Sequence, residues 1–346
     1  MEKRVTIKDV ARQAGVSVAS VSYVLNGVNK VNTQTRQRIL EAIEEMNYRP
    51  SMMAKCLSDG VSRLIGLALP ITERGDIPGM LFENNPFFSE FLSGIEMMTR
   101  SEGYDILISG LDAGKAYKDW IQSRALDGLI ILGLYPQDIY KEIRNFNIPV
   151  VLTDTYEPYA AGFHRVMVDD ELGGYMAAKH LIDLGHTEIA IAIGSIANSE
   201  VNARRYAGFI RALDESGIKG SSALILEGNM SLEGGIRLGE RFIREKVRST
   251  GIFVGADIAA LGIIKALNKS GVRVPKDVSV IGFDDIKFSE LSSPGLTTIR
   301  QDSVLKGKTA AKLILDDLKR GEQTQSLVTL PIQLIIRDST QRKVRS

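Results

Sequence analysis

The sequence is poor in the features that mark exported or membrane-bound proteins. Cys56 is the only cysteine among 346 residues, so no disulfide can form within one chain. No apolar run approaches the roughly 20 residues that a membrane-spanning helix needs, and no apolar leader precedes the first polar helix. We therefore expect a cytoplasmic protein that has no membrane partner.

Motifs of the common enzyme classes are also missing. There is no Gly-Lys-Ser phosphate loop, no His-Glu-x-x-His zinc motif and no Gly-x-Ser-x-Gly nucleophile elbow. The three histidines are scattered, and the acidic pairs Asp169-Asp170 and Asp284-Asp285 join neighbours whose side chains usually point apart. The sequence predicts no enzyme, no metal site and no cofactor.

Charge is unevenly distributed, although the whole chain carries only +1. Residues 1–60 hold nine basic and six acidic residues, a net +3, which leaves −2 for the remainder. A basic excess confined to a short segment is typical of a module that faces phosphates. A length of 346 residues accommodates such a module beside a larger, two-part core.

The first 50 residues show three helical patterns. Thr6 can cap a first helix, in which Ile7, Val10, Ala11 and Ala14 recur at helical spacing until Gly15 ends it. Ser17 can cap a second helix after a short turn. A third helix is predicted over residues 33–47, capped by Asn32, with four side chains directed inward: Ile39, Leu40, Ile43 and Met46.

The second helix has two different faces. Val21, Val24 and Leu25 form an apolar stripe, and the opposite stripe consists of Ala19, Ser22, Tyr23 and Asn26. A helix, a tight turn and a second helix with small or polar outward residues are typical of the helix-turn-helix, whose second helix enters the DNA major groove. The alternative is a plain three-helix domain whose serines are only solvated.

These segments resemble the head of the lac repressor family. The matching residues are 5–11 (VTIKDVA), 14–17 (AGVS), 20–27 (SVSYVLNG) and 47–50 (NYRP). The resemblance implies that Val18, Ala19 and Tyr23 read bases, the first two through thymine methyl groups. The further DNA contacts expected are Thr6, Ser17, Ser20, Ser22, Asn26, Asn32, Thr35, Ala54 and Leu57.

Residues 51–57 follow Pro50, which ends the third helix. Seven residues are too few for a stable isolated helix, so a flexible linker is one interpretation. The resemblance implies another, a hinge helix that folds on DNA and inserts Leu57 into the minor groove as an apolar wedge.

Beyond residue 62 the pattern changes to alternating strands and helices. Apolar runs at residues 64–69, 104–109, 128–132, 149–152, 166–168, 188–193, 223–226, 251–254 and 278–281 alternate with helical patterns at 88–100, 172–184, 205–215 and 259–270. Such alternation predicts parallel sheets covered by helices on both faces. A ligand site is then expected beyond the carboxyl ends of the strands.

The family resemblance continues through this region, at residues 85–88 (NPFF), 168–174 (VDDELGG), 184–186 (LGH), 274–285 (VPKDVSVIGFDD), 296–298 (LTT) and 336–340 (IRDST). It implies a two-lobed core like that of periplasmic sugar-binding proteins, with three crossing strands and an effector in the cleft. The effector contacts that it implies are Phe87, Phe88, Asp154, Arg205, Met230 and Asp284.

Several effector positions depart from the family pattern or have a second interpretation. Met230 stands where an aromatic platform is common, Ala256 replaces a sugar-binding asparagine and Ser303 replaces a pocket phenylalanine. Asp284 alternatively caps the segment after its strand, and the two phenylalanines alternatively serve only as core. An apolar insertion at residues 73–83 either covers the pocket or packs on the lobe surface.

The sequence as a whole predicts an all-α helix-turn-helix head and an α/β two-lobed, periplasmic-binding-protein-like core. The expected domains are a head at 1–50, a hinge at 51–62, a core at 63–340 and a tail at 341–346. We expect a homodimeric repressor that a sugar-like effector releases from a near-palindromic operator. The alternatives are a repressor that needs a corepressor and a solute-binding protein without a DNA function.

Overall fold

The computed structural model describes residues 5–25, 27–48, 61–70, 82, 85–111, 120, 121, 123–133, 137–220 and 224–343. The predictions on Asn26, Ala54, Leu57, residues 51–60 of the hinge and all of the 73–83 insertion except Phe82 lie outside these ranges. Contacts divide the chain into two compact units, Met1–Arg63 and Leu64–Ser346.

The first unit contains the three predicted helices, α1 (Ile7–Ala14), α2 (Val18–Leu25) and α3 (Thr33–Glu45). Val10, Val21 and Ile39, one from each helix, have no exposed surface and form the centre of its core. Gly15 ends α1 with φ 65°, a left-handed conformation that glycine adopts without a Cβ clash.

One prediction for α3 is wrong. Leu40 is 44% exposed, whereas Ala42 is buried beside Ile39. Positions 39, 42, 43 and 46 lie on one helical face, and position 40 lies about 100° away from Ile39 around the axis. The buried stripe of α3 therefore includes the small Ala42 and excludes the larger Leu40. The sequence pattern did not separate these two residues, because both are apolar.

The second unit contains twelve strands and eight α-helices within the described ranges. They are, in chain order, β1 (Leu64–Pro70), α4 (Pro86–Ser101), β2 (Asp105–Leu111), β3 (Gly128–Leu132), α5 (Gln137–Ile143), β4 (Val150–Thr153), β5 (His164–Val168), α6 (Asp170–Asp183), β6 (Ile189–Ile193), α7 (Glu200–Glu215), β7 (Leu224–Glu227), α8 (Leu232–Arg244), β8 (Gly251–Val254), α9 (Asp257–Lys269), β9 (Ser279–Asp284), α10 (Lys287–Leu291), β10 (Thr297–Gln301), α11 (Ser303–Arg320), β11 (Leu327–Leu330) and β12 (Ile332–Ile335).

The strands form two six-stranded sheets, one for each lobe. The amino-terminal lobe has the order β11-β5-β4-β3-β1-β2, and all of its neighbours are parallel. The carboxyl-terminal lobe has the order β12-β10-β9-β8-β6-β7, in which only β12 is antiparallel. All five residues of β3 and of β6 are buried, as expected for parallel strands covered on both faces.

The chain passes between the lobes three times, after β5, after β10 and between β11 and β12. Side chains join the lobes as well. Ile258 and Ile286 of the carboxyl-terminal lobe pack in one cluster with Phe87 of α4, and the Lys287 amide donates a hydrogen bond to Glu90 Oε1 over 3.2 Å. The carboxyl ends of β4 and β9 consequently lie at the junction between the lobes.

Three pairs of helices approach each other closely at glycines. A Cβ on Gly174 of α6 would lie 1.9 Å from the Arg205 carbonyl oxygen, and one on Gly208 of α7 would lie 1.8 Å from the Glu171 carbonyl oxygen. The pairs α4/α11 and α8/α9 have the same reciprocal arrangement, at Gly94 with Gly307 and at Gly235 with Gly262.

The predicted strands and helices of the core are present, with bounds shifted by a few residues, but four helices (α5, α8, α10 and α11) and the last three strands were not predicted. Within the described ranges, no helix is both long and apolar enough to cross a bilayer. Residues 341 and 343 are tied to the carboxyl-terminal lobe, because the Gln341 amide donates to Ser279 Oγ and the Lys343 amide donates to the Leu184 carbonyl.

Candidate DNA-binding surface and effector site

The outer face of α2 is the candidate base-reading surface. Val18 is 41% exposed and Ala19 is exposed, while Ser22 and Tyr23 are half-buried. The opposite face carries Val21 and Val24 into the core of the head. Burial of one face therefore fixes which side chains α2 presents outward. Lys30 Nζ lies 5.4 Å from the centroid of the Tyr23 ring, which places a positive charge beside it.

Several predicted phosphate contacts lie at helix amino termini and take part in capping. Asp9 Oδ2 accepts hydrogen bonds from the Thr6 amide and hydroxyl, at 3.0 and 2.6 Å. Ser17 Oγ accepts from the Ser20 amide at 3.1 Å and lies 2.9 Å from the Ser20 hydroxyl. Asn32 Oδ1 accepts from the Thr35 amide at 2.8 Å. Each of these residues therefore shapes a helix start, where backbone N–H groups also favour anions.

Two aspartates of the predicted effector set come from different lobes. Asp154 follows β4 with φ 56°, and Asp284 ends β9 with φ 121°. Positive φ is uncommon for residues other than glycine, so the surrounding structure must hold both in place. Asp284 is only 5% exposed, and α10 has Ile286 at its N-cap without a side-chain cap, so Asp284 does not cap it.

A hydrogen-bonded chain joins these aspartates. Lys306 Nζ of α11 donates to Asp154 Oδ1 over 2.7 Å and to Gln301 Oε1 over 2.6 Å. Gln301 Nε2 donates to Asp284 Oδ1 over 2.5 Å. Lys306 has no exposed surface and Gln301 is buried. The order Asp154–Lys306–Gln301–Asp284 therefore spans from one lobe to the other, and we call it the interlobe chain.

Arg205 lies in the same region and is held by hydrogen bonds and a ring contact within the carboxyl-terminal lobe. Its Nε donates to Asp170 Oδ1 over 2.7 Å, one terminal nitrogen donates to the Gly255 carbonyl over 2.6 Å, and its guanidinium lies 3.6 Å from the Phe283 ring centroid. Asp170 also accepts from the Tyr156 hydroxyl at 2.5 Å. The buried arginine is thus Arg205, and its neighbour Arg204 is 40% exposed at its side chain.

Asp257 fixes the loop that carries Asp284. Its carboxylate accepts from the hydroxyls of Ser289 and Thr298, each at 2.6 Å, and from the Ile286 amide at 3.1 Å. Asp257 has no exposed surface. Three donors from two segments, α10 with its N-cap and β10, therefore anchor the turn after β9.

The remaining predicted contacts divide between core and cleft. Phe87 is buried, stacks on Phe91 with ring centroids 6.3 Å apart and lies 5.6 Å from Lys306 Nζ. Phe88 meets Phe87 edge to face, and Met230 packs partly buried on the carboxyl-terminal core. The Ser303 hydroxyl at the start of α11 is buried, without a hydrogen-bond partner among the described residues.

Burial changes the acidity of the carboxylates. It raises the pKa of Asp284 to about 6, against the opposing influence of Arg205, Gln301 and Lys306, while Asp154 raises it further. Burial also raises the pKa of Asp257 well above its usual range, with Asp284 adding to the shift. Asp284 is therefore protonated more readily than an exposed aspartate.

Sequence reasoning missed Gln301, Lys306, Asp170, Tyr156 and Asp257. A signal for Lys306 is present, because it shares the buried face of α11 with Ser303, Gly307 and Ala310, where an apolar residue is expected. Gln301 ends β10, Tyr156 lies in the loop after β4, and Asp170 and Asp257 begin α6 and α9, positions that the pattern of apolar runs does not separate from ordinary turns and helix starts.

Two cavities among the described residues lie away from this site. Cavities of about 390 and 430 Å³ are found at the amino ends of the strands, one beside Ile189 and one beside Val150, at the opposite edge of each sheet. Among the described side chains, no group of three His, Cys, Asp or Glu residues is placed to hold a metal ion.

Comparisons with known proteins agree with the fold of both units. Residues 6–51 match the family model for bacterial regulatory proteins of the lacI family, and residues 178–340 match a periplasmic binding protein-like domain. The repressor PurR of Vibrio vulnificus (strain CMCP6) is 33% identical over 97% of this chain and 99% of its own. The PurR repressor of Pasteurella multocida (strain Pm70) is 31% identical over 98% and 99%.

Solved structures extend the similarity. The lac repressor dimer bound to operator and the anti-inducer ONPF has a TM-score of 0.82 at 29% identity, covering 98% of this chain and 100% of that one. A LacI family regulator from Enterococcus faecium with bound ribose has a TM-score of 0.71 at 28% identity, covering 81% and 100%. The chain belongs to the LacI family of DNA-binding transcriptional regulators.

Proposed function

We propose that this regulator is a repressor whose operator affinity is lowered when a small polyhydroxylated effector binds between the lobes of its core. The observation that carries the proposal is the meeting of Asp154 and Asp284, from opposite lobes, in one buried polar chain. Carboxylates accept hydroxyl hydrogen bonds, so a polyol that contacts both would couple the lobes.

The effector contacts proposed are the two aspartates with Arg205, flanked by the aromatic pair Phe87 and Phe88 and by Met230. The unpartnered hydroxyl of Ser303 supports a polar ligand, because a buried hydroxyl without a hydrogen bond is costly. The ribose bound to the Enterococcus faecium regulator supports a sugar-like compound. Met230 and Ser303 argue against the ligand pocket of the lac repressor itself, since both depart from the family pattern.

On DNA, we assign base reading to Val18, Ala19 and Tyr23, which α2 presents outward. Thr6, Ser17, Ser20, Asn32 and Thr35 lie at helix starts, where they position the head against phosphates without reading sequence. Ser22 lies on the same helix, and the proposed DNA contacts Asn26, Ala54 and Leu57, the last two in the proposed hinge, lie outside the described residues.

The proposed assembly is a homodimer on a near-palindromic operator. A single recognition helix reads few base pairs, so a paired head supplies specificity. Phe288 and Leu291 of α10 are 55% and 69% exposed, an apolar face that a second copy would cover. The lac repressor relative is likewise a dimer on its operator. A protein of this function acts at the nucleoid, in the cytoplasm.

Two linked measurements test the effector proposal. A thermal-shift screen of sugars, sugar acids and nucleobases identifies compounds that bind the folded protein, because binding raises its apparent stability. Fluorescence anisotropy then measures operator affinity with and without each compound. We expect a sugar or sugar derivative to raise the operator Kd.

The control is Asp284→Ala against the exposed Asp183→Ala. We expect the first to abolish the thermal shift and the second to leave it. A nucleobase that tightens operator binding would replace the proposal with a corepressor mechanism. An unchanged operator Kd at saturating compound and fixed salt would contradict effector control altogether.

A further inference from the structure

Lys306 is an unusual residue for its place in the fold. It lies on the buried face of α11, has no exposed surface, and its Nζ lies 5.6 Å from the ring centroid of Phe87 in the amino-terminal lobe. A buried ammonium group is costly unless it is paired and hydrogen-bonded. Its hydrogen-bond partners, Asp154 and Gln301, therefore indicate the role of the buried lysine.

The direction of the interlobe chain is fixed by the chemistry of its ends. The ammonium group of Lys306 can only donate, and the ionised carboxylate of Asp284 can only accept. Gln301 between them must turn its oxygen to Lys306 and its NH₂ group to Asp284, as the contacts of 2.6 and 2.5 Å show. In the reverse orientation the NH₂ group of Gln301 would face the Lys306 ammonium, which is also a donor, and its oxygen would face the Asp284 carboxylate, which is also an acceptor. Both neighbours therefore fix the orientation of the Gln301 amide.

We propose that Lys306 is a positioning residue of the effector site, which acts through Gln301 and Asp154 to hold the aspartates of the two lobes in one arrangement and to keep Asp284 ionised. This inference rests on the proposed function of the cleft. Lys306 contacts Asp154 directly and reaches Asp284 through Gln301. Lys306 thereby sets the charge state in which Asp284 accepts an effector hydroxyl.

The charges around Asp284 give the expected signs. It faces Arg205 from α7, Lys306 from α11, Asp154 from the loop after β4 and Asp257 from the start of α9. Removal of the Lys306 charge raises the pKa of Asp284, because a cation favours the ionised carboxylate. Removal of the Asp154 charge lowers it, because a neighbouring anion disfavours that form. The two substitutions therefore act in opposite directions on one group.

The test is ligand-free. The full-length, perdeuterated protein is labelled with ¹³C at the aspartate carboxyl carbons, and the Asp284 resonance is assigned by its loss in Asp284→Asn. We expect a wild-type titration midpoint near pH 6. Lys306→Met should raise the midpoint by roughly one pH unit or more, and Asp154→Asn should lower it. Lys312→Met, on the exposed side of the same helix and paired with Asp316, should leave it unchanged.

A midpoint that Lys306→Met leaves unmoved, or moves downward, would overturn the inference. If that variant does not fold, Asp154→Asn decides, since a midpoint that stays the same or rises contradicts the interlobe chain as the source of control. A protein in which no compound of the screen binds would instead count against the proposed function, and the titration would still be read in the absence of ligand.

Discussion

At the scale of the residue, the buried charge of Asp284 in the proposed effector site lowers the stability of the folded protein. Asp284 has a pKa of about 6 in the folded protein, against an ordinary value of 3.8. The folded state therefore binds the proton more tightly than the unfolded state, and stability declines as the pH rises from about 4 through 6. Above that pH range Asp284 is ionised, and the cost of burying its charge lowers the free energy of unfolding by its full amount.

Asp284→Asn tests this cost, because asparagine keeps the shape and the oxygen that accepts from Gln301 while it removes the charge. We expect the variant to be more stable than the wild type at pH 8, by roughly 1 to 3 kcal/mol, and the advantage to shrink as the pH falls through 6. Urea unfolding at pH 5, 6, 7 and 8 measures it.

Asp277 provides a control of opposite sign. The Arg273 side chain, which donates hydrogen bonds to it, lowers the pKa of Asp277 to about 2. Asp277→Asn should therefore lose a little stability at neutral pH, and the loss should be small because the pair is exposed. A stability difference for Asp284→Asn that does not vary between pH 5 and pH 8 would show that its charge is not the cause.

The candidate site residues that the sequence predicted lie in local motifs, whereas those that it missed are defined by contacts between distant segments. Asp284 and Arg205 were predicted because they lie in motifs that resemble a family. Lys306, Gln301 and Asp257 act through contacts between segments distant in sequence, such as the 2.7 Å pair of Lys306 with Asp154, 152 positions earlier. Such contacts exist only after two sheets have formed and met, so local patterns carry little trace of them.

At the scale of the element, close helix pairs place the site residues. Arg205 lies on α7, which approaches α6 so tightly that backbone carbonyls occupy the space of a side chain at Gly174 and Gly208. The apolar runs predicted the strands well because buried parallel strands consist of such runs. The helix α8 was missed although its polar and apolar faces are well separated, because three of the five residues on its buried face are glycines, which interrupt a helical pattern in the sequence.

Gly208→Ala tests the role of this contact. A Cβ 1.8 Å from the Glu171 carbonyl oxygen cannot be accommodated unless the backbones of α6 and α7 separate. We expect the free energy of unfolding to fall by on the order of 2 to 4 kcal/mol. We also expect weaker effector binding, because Arg205 moves with α7. Thermal unfolding and the thermal-shift response measure the two effects.

Gly217→Ala is the comparison for that variant, since nothing lies within 4 Å of a Cβ there and only its positive φ of 72° opposes the change. We expect a loss of about 1 kcal/mol, without an effect on effector binding. Equal losses for the two variants would indicate that helix separation is not what Gly208 prevents.

At the scale of the whole molecule, two units of different size must act together. The head has a small core of its own, and the lobes of the larger unit share three chain crossings and the interlobe chain. An effector that favours one arrangement of the lobes changes operator affinity by some factor, and operator must change effector affinity by the same factor. This reciprocity holds for any assembly, and in the proposed dimer both heads would respond together.

Leu291→Asp tests that assembly. Leu291 is 69% exposed on α10, and an aspartate there would place a charge in the apolar face that a second copy is proposed to cover. We expect the dimer to dissociate at concentrations at least tenfold higher than the wild type, and operator affinity to fall steeply on dilution. Sedimentation velocity measures the first effect and fluorescence anisotropy the second.

Leu172→Asp is the matched substitution, because Leu172 is 40% exposed near the start of α6, where an acidic residue suits the helix terminus. It should leave both the sedimentation and the operator affinity as they are. A Leu291→Asp variant that remains a dimer would exclude α10 as the face that joins two chains, and a wild-type protein that sediments as a stable tetramer would contradict the proposed dimer. The paired reading of a near-palindromic operator would then need another surface to support it.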